Sequence, residues 1–248
     1  MWSYDDTSKS IQNSPSVTSA TFSGNTKSID STERPKFSWN RARQLLWEHF
    51  IQAYSNKTIL VWSIFWAFAM GGFLQIQSYV QLLWLDIDTN KDNFYNGGVE
   101  AALTLFGAIS CLIAGFIPSE KFEQFDSWIM TLCLAVEGAM IIVSSFTHNV
   151  WVAYAMYVSF GVIYMFMITL ASATVAKNLL DDSFALIFGI NTLLALIIQT
   201  ILTVVVISES VLGLSTRNQF LVFGGYFVVL SIIFFIGSLA KLCLRRRK

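Results

Sequence analysis

Residues 59–85 read ILVWSIFWAFAMGGFLQIQSYVQLLWL, with no Lys, Arg, Asp or Glu among them. As a helix rising 1.5 Å per residue, such a stretch reaches about 40 Å, more than the ~30 Å of hydrocarbon in a bilayer. A soluble protein has no interior deep enough to hide a helix that is apolar for so long, so the stretch reads as a membrane span. Five more apolar segments follow, at about 95–117, 127–146, 150–176, 184–207 and 219–242. Polar breaks divide them at Asp86 to Asn93, Pro118 to Asp126, Thr147 to Asn149, Lys177 to Asp182 and Ser208 to Asn218. The three-residue break at Thr147 to Asn149 is the shortest, barely enough to separate two spans. The expected fold is an all-α integral membrane bundle of six transmembrane helices spanning 58–242.

Composition agrees. Of the 248 residues, 54% are hydrophobic and only 13% charged, and mean hydropathy is +0.57. Soluble domains carry roughly 25% charged residues, so this chain lacks the charged shell that a soluble fold needs. The net charge of zero, with basic residues in short blocks beside apolar runs, argues against nucleic acid as a partner. Cys111, Cys133 and Cys243 are too far apart for a CxxC metal site, and no disulfide framework is expected.

The flanks differ from the spans. Residues 1–35 are rich in Ser and Thr and nearly free of large apolar side chains, so they read as a disordered cytosolic linker. A chain that opens on such a linker reads as the second part of something longer. Over 36–57, Leu46, Trp47, Phe50, Ile51 and Tyr54 recur at helical spacing while Arg41, Arg43, Gln44, Glu48 and Gln52 take the other positions. That pattern suits an amphipathic juxtamembrane helix in the headgroup region. Residues 243–248 form a basic cytosolic tail. With both ends cytoplasmic, the cytoplasmic side receives twelve Lys and Arg from Arg34 onward, among them Arg41, Lys57, Lys121 and Lys177, and the outside only Lys91 and Arg217. This asymmetry sets the orientation and permits an even number of spans. The sequon Asn56-Lys57-Thr58 would then lie in the cytoplasm, unglycosylated.

Enzyme chemistry is missing. His49 and His148 lie outside the apolar segments, and the sequence holds no HExxH, GxxxxGK[ST] or GxSxG motif. No cofactor is expected. The spans do contain polar side chains: Glu100 near the start of the second, Glu137 ten residues into the third, and Gln75, Gln77, Ser78 and Gln81 in the first. Gln77 and Gln81 share a helix face, which Trp84 continues, while Asn191, Gln199 and Thr203 lie on a second row in the fifth span. Polar side chains facing lipid would lack partners, so these rows should point inward, toward a substrate or toward one another. Carrier, channel subunit and scaffold all remain open on these features.

Four runs carry a resemblance. They are Tyr79-Val80-Gln81-Leu82-Leu83-Trp84; Tyr95-Asn96-Gly97-Gly98-Val99-Glu100-Ala101; Ala185-Leu186-Ile187-Phe188-Gly189-Ile190-Asn191-Thr192; and Leu212-Gly213-Leu214 with Gln219-Phe220 and Tyr226-Phe227. In that order and spacing they resemble the C-terminal half of the reduced-folate and thiamine carriers, over about residues 40–240. The resemblance implies a major-facilitator-type transporter, whose two six-helix halves enclose a central site; this chain would supply helices seven to twelve. The partner implied is an N-terminal carrier half or a second copy, in the plasma membrane, with a small vitamin as ligand.

The choice of vitamin also rests on the resemblance. Folate carriers place a Lys where this chain has Gln199 and, with thiamine carriers, an Arg where it has Gly161. Without those cations the chain lacks the groups best suited to a folate's carboxylates, which favours thiamine. Glu100 agrees with the thiamine members, whereas Ser78 stands where they have Asn. The implied substrate residues are Gln77, Ser78 and Gln81, with Trp84 at the outer mouth, Glu100 at the outer gate and Gln199 facing the cavity. A folate-type carrier, or a six-span interaction or regulatory module, is the alternative.

Overall fold

The computed structural model describes residues 38–88, 95–117, 119–179, 183–208 and 212–246. The segment 1–35, read above as a disordered linker, lies outside them. Seven helices and no strand occur among the described residues: α1 (Trp39–Ser55), α2 (Lys57–Ile87), α3 (Asn96–Gly115), α4 (Ser119–Phe146), α5 (Val150–Asn178), α6 (Phe184–Val206) and α7 (Thr216–Arg246). Six of them, α2 to α7, are long and apolar enough to cross a membrane.

Local polar chemistry sets several boundaries. Asn56 is extended (φ −78°, ψ 112°), and its side chain accepts a hydrogen bond from the Thr58 N–H at 2.9 Å. It ends α1 and caps α2, so the amphipathic segment is a separate helix rather than an extension of the first span. The short break before α5 works the same way. The Asn149 side chain accepts from the Trp151 N–H at 2.9 Å, and the Thr147 hydroxyl accepts from the Asn149 N–H at 3.2 Å. Three residues suffice because their side chains satisfy the exposed backbone donors. At α4 the helix begins at Ser119, ahead of the apolar segment that starts near 127. Glu, Lys and Gln in that lead are good helix formers, and hydropathy marks where a chain enters lipid rather than where its helix begins.

The helices pair in a pattern with internal symmetry. The substantial contacts are α4 with α7, α3 with α5, α2 with α6, α2 with α5, α4 with α5, and α2 with α7. Exchanging α2 with α5, α3 with α6 and α4 with α7 reproduces the same set of pairs. This pairing has the pattern of two three-helix repeats, α2–α4 and α5–α7.

Helix α2 is the hub: 67% of its apolar window is buried in the bundle, against 17% for α6. Phe73 of α2 stacks on Tyr164 of α5 with ring centroids 4.0 Å apart, and Phe160 of α5 meets Phe227 of α7 edge-on at 5.3 Å. Between α4 and α7 the backbones themselves approach. A Cβ on Gly138 would lie 2.9 Å from the Gly224 carbonyl oxygen, and one on Gly224 would lie 3.0 Å from that of Gly138. Large residues such as Phe106, Leu112, Leu193 and Ile233 remain exposed on the outside, as expected where lipid is the solvent.

Candidate functional site

The polar residues of α2 divide between two faces, since consecutive side chains turn by 100°. Gln75 is fully buried toward α6, where the Thr203 hydroxyl donates to its Oε1 at 2.9 Å. Gln77, Ser78 and Gln81 are exposed on an open face of the bundle. Gln199 of α6 reaches that face: its Nε2 donates to the Ser78 Oγ at 3.1 Å and approaches the Leu74 carbonyl at 3.4 Å. The Ser78 hydroxyl donates in turn to the Leu74 carbonyl at 2.7 Å. Ser78 and Gln199 thus form one polar unit across the α2–α6 seam, with Gln77 and Gln81 beside it.

Trp84 and Glu100 belong to a second cluster. Six residues beyond Ser78, Trp84 sits about 9 Å further along α2. It is wholly buried, not open at a mouth: its ring meets Tyr154 and Tyr157 of α5 edge-on, at 4.8 and 5.3 Å. Its indole N–H has no hydrogen-bond partner among the described residues. Tyr157 links Trp84 to Glu100, donating its hydroxyl to the Glu100 Oε1 at 2.9 Å, while Tyr154 donates to the Asn96 Oδ1 at 3.0 Å. Two tyrosines at i and i+3 therefore fasten the first turn of α3, and Glu100 stays partly exposed. The sequence reading missed both. The available signal was their spacing, hidden in an aromatic-rich run.

Two further contacts tie the ends of the bundle. The Tyr54 hydroxyl of α1 donates to the Asn191 Oδ1 at 2.9 Å, and the Asn191 Nδ2 to the Ser63 Oγ at 3.2 Å. Asn191 is thus spent on packing rather than offered to a ligand. Burial raises the Tyr54 pKa, so its hydroxyl remains a donor at neutral pH. At the opposite end Arg217 pairs with Asp86 at 2.8 Å and also donates to the Thr147 carbonyl at 2.8 Å. Gly161 is buried against α3, where a Cβ would collide with Leu103. A larger side chain at this position would need Leu103 to move aside.

The described residues thus form an integral membrane bundle of six membrane-length helices with a repeat-like pairing and an exposed polar seam. The comparisons narrow this further. The sequence profile of the reduced folate carrier family matches residues 3–222. The chain is 35% identical over 221 residues to mouse thiamine transporter 1, covering 89% of this chain and 44% of that protein. It is 38% identical over 189 residues to human thiamine transporter 2, covering 76% and 38%. Against the human reduced folate transporter it is 34% identical over 184 residues, covering 72% and 31%. This chain belongs to the reduced folate carrier family. It spans about two fifths of the length of the thiamine transporters it matches, and these relatives are named as transporters rather than enzymes.

Proposed function

We propose that the chain forms one half of a vitamin carrier that works by alternating access, with thiamine rather than a reduced folate as substrate. The observation that carries this reading is the polar unit of Ser78 and Gln199, flanked by Gln77 and Gln81, on the open face of an otherwise apolar bundle. Turned to lipid, these groups would lie unsatisfied in hydrocarbon; turned to a second half, they line an aqueous path. The second half is an N-terminal carrier half or another copy, and rocking of one against the other exposes the site to each side in turn.

Thiamine is supported by Gln199, which is neutral and offers no cation to a folate carboxylate; Gly161 departs from both patterns. The relatives named thiamine transporters point the same way. Glu100, held by Tyr157 and partly exposed, would attract a cationic heterocycle at the outer gate. Buried Trp84 would act through Tyr157, bracing that gate rather than touching substrate. The excess of Lys and Arg at the α1 end supports both ends being cytoplasmic, and the plasma membrane is the location proposed for such a carrier.

The test is uptake of labelled thiamine by cells expressing this chain, alone and together with the six N-terminal helices of a thiamine-transporting relative. Uptake in either arrangement, reduced by Glu100→Gln at equal surface expression, is the expected result. Absence of uptake from both, with the chain at the surface, would favour an interaction module instead. Preference for a labelled folate would overturn the choice of substrate.

A further inference from the structure

Helix α1 is joined to the bundle at one end and parts from it at the other. Near its C-terminus, Ala53 is buried and Tyr54 bonds to Asn191 of α6. Toward its N-terminus the two helices separate, leaving an open cleft of about 530 Å³ lined chiefly by Arg43, Trp47 and Phe50 of α1 and Leu186 and Ile190 of α6. That volume falls within the range of pockets that hold small ligands.

Three features identify the chemistry of an occupant. At 100° per residue, Arg43 lies within the apolar arc of α1, between the directions of Phe50 and Trp47, while the acidic Glu48 points about 140° away from it. A cation is thus set into the apolar wall at the cleft, with no acid on the same face. Second, the cleft lies at the first two turns of α6, the level at which a span meets the headgroups. Third, it opens on the apolar flank of α6. Leu186 and Ile190 continue along that flank into exposed Leu193, Ile197 and Ile201, whereas Gln199 and Thr203 occupy the other flank. The cleft therefore faces away from the polar seam where a second half would dock.

We propose that this cleft is a binding site for an anionic phospholipid, one acyl chain lying between Trp47, Phe50, Leu186 and Ile190 and the phosphate at Arg43. The apolar walls accept the chain, and Arg43 offers a planar fork of donors to phosphate oxygens. A lipid held there bridges α1 and α6 beyond the point where Tyr54 joins them. The proposal does not rest on transport, so its failure leaves the function proposed above untouched.

The chain, reconstituted in phosphatidylcholine vesicles, is tested with a minor fraction of lipid carrying brominated acyl chains, which quench nearby indoles. The contribution of Trp47 is isolated by subtracting the signal of Trp47→Phe. One basic side chain at the surface favours an anionic lipid about five-fold, so brominated phosphatidylserine should quench Trp47 at correspondingly lower mole fraction than brominated phosphatidylcholine. Arg43→Gln should make the two lipids equal, and Ile190→Phe, which fills the cleft, should weaken quenching by phosphatidylserine. Equal quenching in the unaltered chain, or a preference that survives Arg43→Gln, overturns the proposal. So does a Trp47 shielded from both lipids, since a protein segment would then cover the cleft.

Discussion

Glu137 lies midway along the apolar span of α4, fully buried, with both carboxylate oxygens lacking a hydrogen-bond partner among the described residues. A charged side chain at membrane depth costs ~2.5–3.5 kcal/mol on insertion scales. Glu137→Gln keeps the shape and removes the ionisable group, so the variant should unfold at a higher temperature in detergent than the unaltered chain. A lower unfolding temperature would mean that the acid has a cationic partner. The residue illustrates how far single positions can be read without a fold. That Glu137, Gln199 and Glu100 are embedded follows from their places within apolar runs. What each one meets does not: Glu137 faces no hydrogen-bond partner among the described residues, Gln199 faces Ser78, and Glu100 faces a tyrosine hydroxyl. Trp84 shows the same limit, since a tryptophan near a helix end is as easily an interfacial anchor as a buried brace between two tyrosines.

Between elements, close approach of backbones does what side-chain hydrophobicity cannot. Inside a membrane, lipid tails are as apolar as leucine, so helices associate through packing at small residues. Gly138 and Gly224 are the instance between backbones, whereas at Gly161 a Cβ would meet the Leu103 side chain of α3. Gly161→Ala should destabilise the α3–α5 pair by about 1–3 kcal/mol, the usual cost of overpacking, read as a lower midpoint of unfolding. Leu103→Ala in the same chain should restore part of that loss, and failure of the rescue would show that the two positions are not in contact. Element order was evident from the apolar runs and their polar breaks. The pairing of elements was not, since every span presents a similar apolar surface and the glycines that select partners are scattered without a motif.

For the molecule as a whole, orientation in the membrane can be measured directly. Cys243 is exposed near the end of α7, at the same end of the bundle as α1. A membrane-impermeant maleimide should label it in permeabilised cells and not in intact ones, after Cys111 and Cys133 are replaced by Ser. Labelling in intact cells would reverse the proposed orientation. The repeat-like pairing of α2–α4 with α5–α7 closes the bundle on itself, yet it leaves the polar seam on an outer face. A wall of that kind encloses a site when it meets another.

Membrane residence and the order of the six spans followed from the residues alone. The reason is that crossing a bilayer imposes a length and an apolarity that no soluble segment matches. Which polar groups share a face, by contrast, depended on how helices distant in sequence come together. Ser78 and Gln199 are 121 positions apart, and Tyr157 and Glu100 are 57 apart. Packing at small residues and side-chain hydrogen bonds set those meetings, and neither leaves a local pattern along the chain.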